Sequence, residues 1–147
     1  ILHTQNRSAV INVLVLCDWV YPSFHSYVTQ DRLGDTSLES QLLEAVTHYS
    51  LTEKELNRVG ERVWNLSRAI MVKEGRTRRE DTFHESFFQE EAGEKAVPKE
   101  DFEKAKTKYY QLRGWDEENG WPTRKKLEEL ELFDVARDLF KGDENKK

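Results

Sequence analysis

Cys17 is the single thiol in 147 residues, so the chain can form no internal disulfide and no self-contained four-cysteine metal site. It stands at the end of an apolar run, where a lone cysteine by default packs as an inert core thiol. His3, His25, His48 and His84 lie too far apart for an HExxH-type zinc motif. Neither a phosphate-binding glycine loop nor a Gly-x-Ser-x-Gly elbow is present. The acidic residues fall mainly on faces that read as solvated, where a carboxylate serves solubility rather than general base catalysis. His25 reads as a capping or surface imidazole. Lys73, Arg76, Arg78 and Arg79 form a basic run that could dock an acidic partner, but a solvated helix end is the plainer reading. Asn6-Arg7-Ser8 and Asn65-Leu66-Ser67 match glycosylation sequons, and both are taken as coincidence. Residue by residue, the catalytic signal is thin.

Composition narrows the class. Hydrophobic residues make up 37% and charged residues 35%, enough apolar material for one domain of ordinary size with its own core. The net charge of -5 argues against a general nucleic-acid binder, which shows a basic excess. The most apolar stretch, Ala9 to Cys17, is interrupted by Asn12 and falls short of the ~20 residues needed to span a bilayer. The first residues lack the basic region and cleavage site of a signal peptide, so a cytoplasmic location is expected.

The elements that must position these residues follow from periodicity. Residues 9–20 are apolar on every face, which fits a buried strand or a buried helix equally. Thr36 with Glu39 and Thr52 with Glu55 have capping-box spacing, and each opens an amphipathic helix. The second runs about twenty residues to a stop at Gly75. Its expected core stripe is Leu56, Val59, Val63, Leu66 and Ile70, packed on Phe102, Tyr109 and Leu112. Residues 76–97 read as loop around a Phe83, Phe87, Phe88 anchor. Pro98 suits the first position of a helix with Phe102, Ala105, Tyr109 and Leu112 inward, stopped by Gly114. After a turn from Trp115 to Pro122, Thr123 caps a short helix carrying Leu127 and Leu130. Phe133, Ala136, Leu139 and Phe140 extend the pattern. Trp64 and Trp115 are assigned to the core rather than to ligand stacking. The expected fold is a small all-α domain over residues 1–141, with 142–147 a frayed polar tail.

Two long blocks add a resemblance. The stretches GERVWNLSRAIMVKEGRTRREDTFHESFF (60–88) and YYQLRGWDEENGWPTRKKLEEL (109–130) resemble, in order, the C-terminal domain of tungsten-containing aldehyde:ferredoxin oxidoreductases. That family carries near-identical "ER-x-W-N-L-x-R…R-E-G…R-x-D-D-T" and "Y-Y-x-L-R-G-W-D…G-x-P-T-R-x-K-L-E-E-L" runs. The resemblance implies an all-α C-terminal helical domain of a larger oxidoreductase that oxidises an aldehyde to a carboxylic acid and passes electrons to ferredoxin. Cys17 then falls where the family places the last of four cysteines holding a [4Fe-4S] cluster beside the tungstopterin. A cubane cluster needs four thiolates, so the other three would come from outside this chain. The isolated chain is accordingly expected to hold no cofactor and to be inactive, with the upstream domains, or a partner subunit, and ferredoxin as its partners.

The departures are local. Where the family reads Asp-x-x-Gly-Leu-Cys, this chain has Asn12-Val13-Leu14-Val15-Leu16-Cys17. The resemblance carries pterin contact to Asn12 and Leu16. Asn12 replaces a carboxylate with a neutral acceptor and an amide donor, and Val15 brings a side chain where backbone would approach the cofactor. Phe83, His84 and Ser86 stand where the family commonly shows Leu, Pro and Arg. Glu131 replaces a glycine between the last two helices. The family's acid/base histidine belongs upstream of residue 1, so His25 does not inherit that role; Tyr21 and His25 are placed in the substrate cavity by position alone. Cys17-Asp18-Trp19 is not the typical aldehyde-enzyme wording, which keeps open a related reductase acting on another substrate, such as an aromatic acyl thioester. A non-catalytic helical module that binds a partner chain is the remaining alternative.

Overall fold

The computed structural model describes residues 1–17, 30, 34–35, 37–90 and 96–141. Its elements, in order, are α1 (Leu2–Val13), α2 (Leu38–Thr47), α3 (Glu53–Lys73), α4 (Lys99–Arg113), α5 (Arg124–Glu129) and α6 (Phe133–Leu139), with short 3-10 turns at Arg78–Glu80 and Glu85–Phe88. Among the described residues the only β-type pairing is one isolated bridge, Trp115 to Pro122. The fold is all-α, and the apolar run resolves as a helix as far as Val13. Thr36, Asp18, Trp19, Tyr21, His25 and the 142–147 tail lie outside the described residues.

The chain divides into two compact units, Ile1–Trp64 and Asn65–Lys147. In the first, Ala9, Val10 and Ile11 of α1 and Leu56 of α3 are buried. Gly60 lets α3 cross α1 closely: a Cβ built there would stand 2.1 Å from the Asn6 carbonyl oxygen. Asn6 donates to Asn57 at 3.3 Å and the Trp64 indole donates to the Gln5 carbonyl at 2.7 Å, so polar groups fill the same crossing. Trp64 itself is only half-buried. The expected cap of Thr36 with Glu39 turns on Thr36, which lies outside the described residues. The buried Glu39 carboxylate accepts from Arg7 Nε at 2.8 Å and Nη2 at 2.9 Å, joining α1 to α2 by a two-pronged ion pair. Thr52 and Glu55 do form the expected reciprocal cap, with Thr52 N–H donating to Glu55 at 2.7 Å and Glu55 N–H to Thr52 at 3.3 Å.

In the second unit Ala69, Val72, Tyr110, Trp115, Leu127, Leu130 and Ala136 are buried. Three expected patterns are corrected here. Leu66 and Ile70 are 39% and 51% exposed, Leu112 is 54% exposed, and Ala105 and Phe133 face solvent. The buried positions are instead Asn65, Arg68, Ala69 and Val72 on α3, and Tyr110 and Arg113 on α4. The reason is chemical: these polar residues find partners inside, so the core-facing side of each helix is turned away from its most apolar stripe. The Phe83, Phe87, Phe88 anchor closes on Phe102, with ring centroids 4.8 Å apart for Phe83–Phe102 and 5.5 Å for Phe88–Phe102. Pro98 sits one residue before α4 rather than inside it.

Gly60→Ala tests the α1–α3 crossing. Alanine gains about 1 kcal/mol over glycine in an open helix. Here the added methyl meets backbone that cannot rotate away, and the variant is expected to lose about 2 kcal/mol or more in urea denaturation. A stabilised variant would show that the two helices do not touch at Gly60.

Candidate functional site

The end of α1 carries every residue singled out for cofactor contact. Leu14 N–H donates to the Val10 carbonyl at 2.9 Å, Val15 N–H to Asn12 at 3.1 Å, and Leu16 N–H to Ile11 at 2.9 Å. The last two bonds form a Schellman stop, which requires its C′ residue, Val15, in the left-handed conformation; its φ is 58°. The glycine of the Asp-x-x-Gly-Leu-Cys wording therefore corresponds to a backbone need at residue 15, not only to room for a cofactor. Beyond the stop, Cys17 is exposed. It is not a core thiol. Asn12 is exposed as well, and Leu16 is half-buried.

Among the described residues no group of three or more His, Cys, Asp or Glu side chains is placed to hold a metal. What this end of the chain offers is one accessible thiol and one neutral amide. A thiolate fits a cluster's need for a terminal ligand, and the amide can both donate to and accept from a polar heterocycle. A cavity of about 30 Å³ beside Arg7 and Glu39, also lined by His3, Glu53 and Asn57, is of water size and too small for an organic substrate.

A second cluster, centred on Asp81, escaped the residue-by-residue reading. Arg68 Nη1 and Nη2 donate to the two Asp81 oxygens at 2.9 and 2.5 Å, and its Nε donates to the Gly120 carbonyl at 2.8 Å. Arg76 Nε adds a bond at 2.8 Å, and the Tyr110 hydroxyl donates to the same carboxylate. Lys106 donates to the Asp81 carbonyl at 3.0 Å. The Arg68 guanidinium lies 4.8 Å over the Trp115 ring, whose N–H donates to the buried Asn65 amide oxygen at 2.9 Å. Burial by itself would raise the Asp81 carboxyl, but the bonds from Arg68, Tyr110 and Arg76 outweigh it and hold the group at about 2. Burial and the Asp81 carboxylate push the Tyr110 phenol upward. Such a carboxylate is too weak a base, and too fully engaged, to take a substrate proton. The cluster is a structural lock.

The basic run dissolves into the same scaffold. Arg76 belongs to the Asp81 cluster, Arg78 pairs with Glu103 at 2.6 Å and donates to the Glu117 carbonyl at 2.8 Å, and Lys73 lies 3.5 Å from Asp138. Arg78 and Lys106 also line an open depression of about 580 Å³ with Arg79 and Thr82, but their cationic groups already face Glu103. The Thr77 and Glu80 spacing, read as loop, is a capping box on the first 3-10 turn, and that turn delivers Asp81 to Arg68. Its Thr-x-x-Glu signature was present in the sequence.

Asp81 gives a signed pH prediction. Its folded pKa is depressed from 3.8 to about 2, so its contribution is complete above pH 3.8 and is lost as pH falls from there toward 2. The loss is worth roughly 2 kcal/mol. Asp81→Asn is expected to lower stability at pH 7 by about 3 kcal/mol and to flatten that acid limb in urea titrations. An unchanged limb would place the titrating carboxylate elsewhere.

The family model for aldehyde ferredoxin oxidoreductase, domains 2 & 3, matches residues 1–132. The tungsten-containing aldehyde ferredoxin oxidoreductase of Pyrococcus furiosus is 34% identical over 92 residues, covering 60% of this chain and 15% of that protein. The chain thus spans a small part of the curated relative it matches. No helix among the described residues is long and apolar enough to cross a membrane. With the matched region reaching from the first residue through α5, the chain belongs to the aldehyde ferredoxin oxidoreductase family, within the part described as its domains 2 and 3.

Proposed function

We propose that this chain is the C-terminal helical portion of a tungstopterin, iron–sulfur oxidoreductase, that it closes one wall of the active site, and that Cys17 is one of four thiolates around a [4Fe-4S] cluster. The observation that carries this reading is the exposure of Cys17 immediately past a hydrogen-bonded helix end. A buried structural thiol has no reason to stand there, whereas a ligand to a group held largely by other residues must be presented outward.

When bound, the tungstopterin and the cluster supply two-electron oxidation of an aldehyde to a carboxylic acid and single-electron passage to ferredoxin. The residues of this chain hold and shape. Cys17, deprotonated, would furnish one terminal iron ligand, with three cysteines from outside this chain. Asn12 would meet the pterin as a neutral donor and acceptor, a weaker partner for N–H groups than a carboxylate. Leu16, half-buried against the stop, would offer an apolar contact. The Asp81 lock supplies no proton and holds together the elements of its own unit.

In the enzyme that carries this region, Cys17→Ala is expected to lose cluster iron and acid-labile sulfide, while Cys17→Ser retains a weakened cluster. Because Cys17 is exposed, neither change should alter the unfolding free energy of the helical region in urea by more than about 0.5 kcal/mol. Full iron and sulfide in Cys17→Ala would overturn the ligand assignment.

A further inference from the structure

Four helices of this chain end by one device. At α1, α3, α4 and α5 a residue with positive φ donates its N–H to the carbonyl three residues back, and the next N–H reaches five residues back. At α3 the pair is Gly75 to Val72 at 2.9 Å and Arg76 to Met71 at 3.0 Å; at α4 it is Gly114 to Gln111 at 3.2 Å and Trp115 to Tyr110 at 2.9 Å. Glycine occupies the left-handed position in both. At α5 it is Glu131, φ 59°, and at α1 it is Val15, φ 58°.

The left-handed region places Cβ against the following carbonyl, and a β-branched residue there is an outlier. Packing can offset that strain, but the Val15 side chain is 89% exposed and buries almost nothing. The closed stop at α1 is therefore the least favoured of the four on local grounds. It is also the one whose last bond, Leu16 N–H to the Ile11 carbonyl, pins the backbone one residue ahead of Cys17.

We propose that Val15 is a positioning residue for Cys17: it makes the end of α1 a two-position joint. In the closed position Val15 is left-handed and both bonds are made; in the open position both are broken and Cys17 swings free of the helix. With glycine the closed form would dominate. With valine the balance is shifted toward opening by roughly tenfold, the population equivalent of the left-handed penalty. The use of such a joint rests on Cys17 being a cluster ligand, since it lets the thiolate settle onto a site built mainly by other residues and then closes behind it.

Cys17 is the only cysteine, so a nitroxide attached to the unmodified chain reports this joint alone. The label should give a slow and a fast component. Val15→Gly should cut the fast-to-slow ratio about tenfold and raise the protection of the Leu16 amide against hydrogen exchange by a similar factor. Val15→Pro, which can neither donate its N–H nor take a positive φ, should leave the fast component alone. Glu131→Gly should protect the Leu132 amide without touching the label. The proposal is overturned if Val15→Gly leaves label and Leu16 exchange unchanged, or if Glu131→Gly shifts the label as Val15→Gly does, since that would be a global stability effect. Both readouts are taken without metal, so they succeed or fail independently of the iron content of the Cys17 variants.

Discussion

One half-buried carboxylate, that of Asp81, organises the second unit. Asp81 collects a two-pronged bond from Arg68, one from Arg76 and one from Tyr110, and the Arg68 Nε–H donates to the Gly120 carbonyl. Arg68 is almost fully buried, and a cation there is tolerable because its Nε, Nη1 and Nη2 each reach an acceptor and its face lies on Trp115. This one pairing ties together the second half of α3, the first 3-10 turn, α4 and the turn from Trp115 to Pro122. Gly120 is part of the same constraint: a Cβ there would stand 2.5 Å from Arg68 Nη2 and 2.9 Å from the Tyr110 hydroxyl. Arg68, Asp81, Tyr110, Trp115 and Gly120 all belong to the blocks by which the sequence resembles its family, so those blocks encode a scaffold rather than reacting groups.

That explains what was legible. Helix ends were read well because their signals are local: the Thr52–Glu55 cap, Gly75, Gly114 and the Thr123 cap all act where expected. Helix faces were read less well because hydropathy alone ranks Leu66, Ile70 and Leu112 above Asn65, Arg68 and Arg113 as core. A buried polar side chain costs little once its partners are present, and those partners lie far along the chain, 50 residues away for Asn65 and Trp115. Arg7 with Glu39 repeats the lesson in the first unit over 32 residues. Such long-range pairs leave no periodic trace.

The candidate site was legible in a different manner. Cys17 could be picked out from the family wording, but its exposure could not, since an apolar run ahead of a cysteine reads as core. The run ends earlier than its composition suggests because α1 stops at Val13 through backbone bonds that leave no mark in hydropathy. Val15 shows the limit most clearly. A valine carries no helix-stop signal, so the left-handed turn at that position is visible only as geometry.

The two departures from family glycine, Val15 and Glu131, then have one physical meaning. Both occupy the left-handed residue of a helix stop, and both backbone bonds of the stop are made at each. The fold tolerates these changes since neither position is buried. Asp81 tolerates no such exchange, because its carboxylate is the shared acceptor of three side chains. The left-handed non-glycine residues thus lie at exposed helix ends, while within each unit an ion pair, Arg7 with Glu39 or Arg68 with Asp81, ties its elements together.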